Sequence, residues 1–140
     1  MTDKQAQDAW LAQVREPILD PQRRICDPHH HLWDHPDNAY LLPELLADLG
    51  DGHNVVSTVF MECGSMYRAE GPVAHAPLGE TEFVNGIAAM SASGNYGPAR
   101  VCAAIVGYAD LSLGDEVGPI LDAHMALSSR FRGIRHAVGW

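Results

Sequence analysis

The sequence predicts an α/β protein built on a parallel sheet. Four apolar, strand-like segments alternate with helical segments along the 140 residues, and this rhythm is typical of βαβ units. The strand segments are almost continuously apolar, as expected when both faces of a sheet are covered. Hydrophobic residues make up 46% of the chain, enough for a packed core. A chain of this length is one domain or part of one.

The chain before the first strand, residues 1–22, is predicted to be an N-terminal extension. Residues 1–16 have the character of an exposed helix, and Pro17 and Pro21 end it before the sheet begins. The first strand runs from Arg23 into a histidine-rich segment. A turn at 35–38 follows, and then a short helix from Pro43 to Leu49 with proline in its favoured first-turn position.

Three more strand segments complete the pattern. Residues 55–61 are rich in β-branched residues, and the helix over 79–90 that follows has acids in its first turn, where the helix dipole favours them. Residues 100–107 form the third strand. A helix that opens at Asp115 or Glu116 then leads to a fourth strand beginning at 132–136.

Two architectures fit this series: a small open doubly wound sheet, or the first half of a (β/α)₈ barrel, which needs about 250 residues. Each strand ends in polar or ionisable residues. Such residues at the carboxyl ends of successive strands are typical of catalytic barrels, and open α/β sheets share the rule. They are His29 and His31, Glu62, Asp110, and His136.

Charge and composition exclude several classes of partner. The net charge of −9 argues against nucleic acid and anionic membranes, because both attract basic patches. No run of about 18 apolar residues and no signal-peptide core is present. Cys26, Cys63 and Cys102 show no CxxC spacing, so we expect buried free thiols in a reducing cytoplasm. A small-molecule substrate is therefore expected, and the oligomeric state is left open.

The segment Asp27-Pro28-His29-His30-His31-Leu32-Trp33-Asp34 carries most of the chemistry. Side chains alternate along a strand, so Asp27, His29 and His31 are predicted on one face and His30 on the other. Two imidazoles at i and i+2 can bind one divalent ion. Asp27 can help to orient them or can accept a hydrogen bond at the strand end. The alternative is a histidine cluster that is merely packed or solvated.

This segment resembles the first-strand signature of the amidohydrolase superfamily, in its amidohydrolase-related branch. That branch contains sugar lactonases, dicarboxylate lactonases and aromatic-acid decarboxylases. The resemblance covers nearly everything from residue 24 onward. It continues through Phe60-Met61-Glu62-Cys63-Gly64, Gly79-Glu80-Thr81-Glu82-Phe83, Ile105-Val106-Gly107-Tyr108-Ala109-Asp110-Leu111 and Phe131-Arg132-Gly133-Ile134-Arg135-His136.

The resemblance implies a metal-dependent hydrolase on a TIM barrel, with His29 and His31 as its first two metal ligands. The family takes further ligands from a histidine after the fifth strand and an aspartate after the eighth, and that aspartate acts as general base. Residues 23–140 are therefore expected to be the first half of such a barrel, truncated after its fourth strand and inactive alone. Zinc is the first expectation and manganese the second, although some members of the branch do not depend on a divalent metal.

The reaction expected of the parent enzyme is hydrolysis of a lactone or a related ester or amide bond by a metal-activated water. Two alternatives stay open: an aromatic-acid decarboxylase on the same scaffold, and a non-catalytic small α/β metal-binding module. Arg68, in the loop after the second strand, would suit a carboxylate-bearing lactone. The candidate substrate-binding residues are Glu62, Tyr67, Arg68 and His136.

Overall fold

Four parallel strands form the main sheet of the protein, in a computed structural model that describes residues 3–14, 16–36 and 38–137. Two short 3₁₀ segments, Val73–His75 and Leu111–Val117, lie in the connections after the second and third strands of this sheet. In chain order the elements are α1 (Asp3–Leu11), β1 (Arg24–His30), β2 (Trp33–His35), β3 (Asn38–Tyr40), α2 (Leu42–Leu49), β4 (Asn54–Met61), α3 (Leu78–Ala92), β5 (Arg100–Gly107), α4 (Gly118–Leu127) and β6 (Phe131–Ile134).

The main sheet has the strand order β1-β4-β5-β6, and every neighbouring pair is parallel. The predicted α/β class with a parallel sheet is therefore confirmed. The order follows the chain without the reversal that defines a doubly wound sheet. Right-handed crossovers between strands in this order place the connecting helices on one face. That the sheet is half of a barrel stays a prediction.

One apolar core lies between the sheet and its helices. Phe60 of β4 and Ile105 of β5 are fully buried against residues of α2 and α3. The helical contributors are Leu42, Leu45, Val84 and Ala88. Side chains at alternate positions, such as Val59 and Val106, are only half-buried. The sheet therefore has one face covered by helices and one open face.

A small antiparallel hairpin, β2 with β3, follows β1 directly. The sequence predicts only a turn here, and Asp37 of that turn lies outside the described residues. Trp33 pairs with Tyr40 across the hairpin, and their rings stack with centroids 5.3 Å apart. Such cross-strand aromatic pairs stabilise short hairpins, which explains why two three-residue strands form.

Two predicted boundaries are wrong. The helix expected from Asp115 or Glu116 begins instead at Gly118, because the 3₁₀ segment Leu111–Val117 comes first and Gly114 has a φ of 60°. The fourth strand ends at Ile134 rather than continuing through His136. The predicted N-terminal helix is present as α1. No helix in the described part of the chain is both long and apolar enough to cross a membrane.

The cysteine prediction holds for one residue of three. Cys102 is buried in the core, whereas Cys26 and Cys63 are exposed. Cys26 lies on the edge strand β1, and Cys63 follows the end of β4, so neither has neighbours on all sides. All three are free thiols. Burial raises the pKa of the Cys102 thiol to about 12, which keeps it protonated.

Candidate functional site

The histidine pair lies at the carboxyl end of β1. The Nε2 atoms of His29 and His31 are 3.2 Å apart, and the two rings meet edge to face. His30 points into the core instead, where its Nε2 lies 2.8 Å from the Thr58 hydroxyl and its ring meets Phe60 edge to face. The predicted alternation of the three histidines is confirmed.

A backbone carbonyl fixes the orientation of His31. Its Nδ1 lies 2.8 Å from the Met61 oxygen at the end of β4. Because a carbonyl oxygen only accepts, Nδ1 carries the hydrogen and Nε2 keeps its lone pair. Of the two roles predicted for Asp27, the structure shows the strand-end acceptor: it accepts the backbone N–H of His29 at 3.0 Å. Its carboxylate therefore shapes the backbone of the motif.

The histidine pair fits two positions of a metal site. Zinc binds imidazole nitrogen at about 2.0–2.1 Å, so two nitrogens of a tetrahedral site lie roughly 3.3 Å apart. The observed 3.2 Å between the two Nε2 atoms matches that separation. Within residues 3–14, 16–36 and 38–137, no group of three or more His, Cys, Asp or Glu side chains could hold an ion. The described residues thus offer two imidazole nitrogens at a spacing that one ion could share, and no third ligand; the same 3.2 Å also suits a hydrogen bond between the two rings.

An ion pair joins the ends of β4 and β6 beside this motif. Arg135 donates from Nε to Glu62 Oε1 and from Nη2 to the Glu62 backbone oxygen, both at 2.7 Å. The Glu62 side chain is 12% exposed and that of Arg135 is 37% exposed. Glu62 directly follows Met61, whose carbonyl holds His31. The predicted site residue Glu62 is therefore brought to the same edge of the sheet as the histidines.

Arg135 is a site residue that the sequence interpretation missed. The sequence predicts His136 as the site residue here, because alternation along an extended fourth strand would admit only one of Arg135 and His136. Because β6 ends at Ile134, alternation no longer governs the two residues that follow it. Both side chains reach partners at the carboxyl edge. The sequence feature that could have identified Arg135 is its position directly after a strand, where site residues of α/β proteins lie.

His136 lies against the residues that follow β5. Its Nδ1 accepts the backbone N–H of Leu111 at 2.9 Å, and its ring lies 5.3 Å from that of Tyr108. With Nδ1 accepting, Nε2 carries the hydrogen and has no hydrogen-bond partner in the described part of the chain. Asp110 accepts from the Ser112 hydroxyl and backbone N–H, and these bonds lower the pKa of its carboxyl group.

Tyr67 and Arg68 lie in the loop between β4 and α3 but have different surroundings. Tyr67 and Tyr108 line a pocket of about 420 Å³ that Asp110 also borders. Burial raises the pKa of the Tyr67 phenol, so it stays protonated at neutral pH. Arg68 donates from Nε and Nη2 to both carboxylate oxygens of Glu82. Its charge is thereby matched, which weakens the case for Arg68 as a carboxylate ligand.

Glu80 holds the loop that carries Glu62. It is 1% exposed, and its Oε1 accepts the backbone N–H groups of Cys63 at 3.0 Å and Ser65 at 2.8 Å. Its Oε2 is buried without a hydrogen-bond partner among the described residues. Burial raises the pKa of the Glu80 carboxyl group. From the sequence, Glu80 was only an acid in the first turn of a helix.

Comparison with known proteins gives one relative of unassigned activity. No family model and no solved structure matches the chain. A protein of Sinorhizobium fredii (strain NBRC 101917 / NGR234), described as "Uncharacterized protein y4mH", is 31% identical over 138 residues. The alignment covers 83% of this chain and 40% of the relative. The chain thus spans about 40% of the length of the relative it matches.

Proposed function

We propose that this chain is part of a metal-dependent hydrolase that acts on a lactone or a related ester or amide bond. The observation that carries the proposal is the convergence of the His29 and His31 Nε2 atoms at 3.2 Å. The Met61 carbonyl supports it, because it holds His31 in the tautomer that leaves Nε2 able to bind a cation. The resemblance to amidohydrolases supplies the reaction class.

His29 and His31 would hold the ion, zinc first and manganese second by ligand type. A bound divalent ion supplies a water of lowered pKa and polarises the scissile carbonyl. The remaining ligands and the general base are proposed to lie beyond residue 140. A longer parent protein is supported by the S. fredii relative, because only 40% of its length is aligned with this chain.

The other residues at the carboxyl edge are proposed to bind and orient substrate. His136 presents Nε2–H as a donor for a substrate oxygen. The protonated Tyr67 hydroxyl stands at the pocket beside Tyr108. Glu62 and Arg135 hold each other in place at this edge of the sheet. Because Glu62 already matches the charge of Arg135, we assign the pair a positioning role.

Aromatic-acid decarboxylation is the second candidate, favoured by one observation. The pocket of about 420 Å³ is lined by two tyrosines and by apolar residues that include Ala76 and Leu113, which suits an aromatic ring. Release of CO₂ from an aromatic acid by a longer parent protein would support decarboxylation. Ring opening of a lactone without CO₂ would support hydrolysis.

Zinc binding by the 140-residue chain tests the proposal directly. Calorimetric titration is expected to give one zinc per chain for the wild type. At free zinc 100 times Kd, thermal unfolding should show a gain of about 2.7 kcal/mol. His29→Ala and His31→Ala should each abolish both effects.

His53→Ala is the matched control, because His53 is an exposed histidine in the loop before β4. It should bind zinc as the wild type does. Zinc binding that survives the double variant H29A/H31A, or that H53A weakens equally, would contradict the proposal.

A further inference from the structure

A second pocket lies at the opposite edge of the sheet, where β5 and β6 begin. Its volume is about 300 Å³, at the lower end of the range for small-molecule sites. The end of α3 and the segment leading into β5 contribute small residues to its wall, among them Ala88, Ala92 and Gly97. Arg100 and Arg130 supply its charged groups. No acidic residue lines it.

Neither of these two arginines is paired with a carboxylate of a described residue, although the chain has 18 Asp and Glu residues against 9 Lys and Arg. Arg24 and Arg132 also lack a carboxylate partner among the described residues, but neither lines a pocket with a second arginine. Arg23, Arg68 and Arg135 each pair with a carboxylate. In the described part of the chain, Arg100 and Arg130 form neither an ion pair nor a side-chain hydrogen bond. Two unpaired guanidinium groups therefore border one pocket.

The chemistry of the pocket selects a class of ligand. A guanidinium group binds oxyanions through paired N–H donors. Two such groups match the charge of a phosphate, which is about −1.5 to −2 at pH 7, better than that of a single carboxylate. The small side chains of the wall leave room beside the anion. We propose that the pocket between Arg100 and Arg130 binds a phosphate group, free or carried by a small phosphomonoester.

The simplest other explanation is that the arginines offset the negative end of the α3 dipole, since α3 ends at Ala92 beside the pocket. That explanation requires no ligand. It predicts that Arg100→Gln and Arg130→Gln lower the melting temperature of the chain and that phosphate does not bind.

Calorimetric titration of the chain with inorganic phosphate tests the proposal. We expect saturable binding that weakens as NaCl is raised, because salt screens charge attraction. Each of Arg100→Gln and Arg130→Gln should weaken binding about ten-fold or more, the usual cost of losing a charge-assisted hydrogen bond. Ala92→Leu should block binding without any change in charge, because Ala92 is exposed on the pocket wall.

Arg24→Gln is the matched control. Arg24 is an exposed arginine at the start of β1, outside the pocket and without a carboxylate partner among the described residues. It should bind phosphate as the wild type does. Absence of saturable binding would overturn the proposal, as would equal weakening by Arg24→Gln or unchanged binding by Ala92→Leu.

A second titration separates the two sources of the phosphate group. If glycerol 3-phosphate binds more tightly than inorganic phosphate, the ligand is a phosphomonoester whose organic part also contacts the pocket wall. Equal affinity identifies free phosphate as the ligand. Circular dichroism shows whether each variant is folded. If Arg130→Gln does not fold, phosphate binding by Ala92→Leu and Arg100→Gln tests the proposal.

Discussion

Glu80 is a buried acid whose partners satisfy only one of its two oxygens. Oε1 accepts two backbone N–H groups of the loop after β4, while Oε2 is buried without a partner among the described residues. A charge in such a place is costly, since burial penalises the ionised form. Glu80 therefore stabilises the fold through the hydrogen bonds that Oε1 accepts and destabilises it through the buried negative charge.

The first prediction separates these two properties. Burial raises the pKa of Glu80 above its usual 4.5, so above pH 4.5 the unfolded chain loses this proton before the folded chain does. The contribution of Glu80 to stability consequently falls as pH rises through that window. Glu80→Gln keeps the acceptor and removes the charge, so its unfolding free energy should rise relative to the wild type between pH 4.5 and 7. Urea unfolding at several pH values measures this.

Two further variants give the controls. Glu80→Ala removes the acceptor and should cost at most about 1–3 kcal/mol for each of the two partly buried N–H groups left unpaired. Glu82→Gln lies two residues away, where Arg68 lowers the pKa of the carboxyl group. Its small effect should have the opposite sign: relative to the wild type, stability is lost as pH rises from below 4.5 to about 4.5, and the difference is constant above that range. A Glu80→Gln difference that is flat with pH would contradict the account.

The sequence predicted the placement of the three histidines correctly but not the contacts of the other residues at the carboxyl edge of the sheet. Alternation along a strand places His29, His31 and His30 correctly because the rule depends only on local backbone geometry. Arg135 and Glu80 act through partners 73 and 17 positions away. A local sequence pattern cannot show contacts between residues so far apart in the chain. The sequence therefore could not reveal the roles of Glu80, an acid at a helix start, and Arg135, an arginine after a strand.

At the scale of elements, α3 contains two glycines with different surroundings. Gly79 lies in the first turn, where an added Cβ would collide with the Met66 carbonyl oxygen and lie 2.7 Å from the Arg68 nitrogen. Both neighbours are backbone atoms of the loop between β4 and α3. Gly86 is exposed in the middle of the helix, and nothing lies within 4 Å of the corresponding Cβ.

The second prediction uses this pair. Gly79→Ala should destabilise the chain by about 1–3 kcal/mol, because the loop must move to admit the methyl group. Gly86→Ala should stabilise it by about 0.5–1 kcal/mol through helix propensity alone. Thermal or urea unfolding of the two variants compares them. Equal effects would show that the contact between α3 and the loop is not tight.

The elements that the sequence identified are those with long, strongly patterned segments. β4, α3 and β5 are found within about two residues of their predicted bounds, because hydrophobic pattern and flanking turns agree there. The β2–β3 hairpin was missed, because three residues are too few to show a period. The 3₁₀ segment before α4 was missed because it contains Asp115 and Glu116. Acids are favoured in the first turn of an α-helix, so these two predict a helix start there.

At the scale of the whole molecule, the sheet has two inner strands and two edges. β4 and β5 are paired on both sides, whereas β1 and β6 each leave one side unpaired in the described part of the chain. Unpaired edges exchange amide hydrogens faster and can recruit a further strand. Amides of the inner strands β4 and β5 are therefore expected to be better protected from hydrogen exchange than those of the edge strands β1 and β6.

The third prediction follows from that order. In hydrogen exchange at low protein concentration, amides of β4 and β5 should be the slowest, and those of β6 should exchange at least about ten-fold faster. A dilution series provides the control, because association along an edge would protect β6 only at high concentration. Protection of β6 equal to that of β5 at every concentration would contradict the description of β6 as an edge.

The strand order also has a consequence for how the chain is made. The strands of the main sheet lie side by side in the order in which they occur along the chain: β4 pairs with β1, β5 with β4, and β6 with β5. No strand has to be inserted between two that are already in place. A polypeptide emerging from the ribosome, amino terminus first, can therefore add one strand–helix unit at a time to a growing edge, and synthesis and assembly proceed in the same direction.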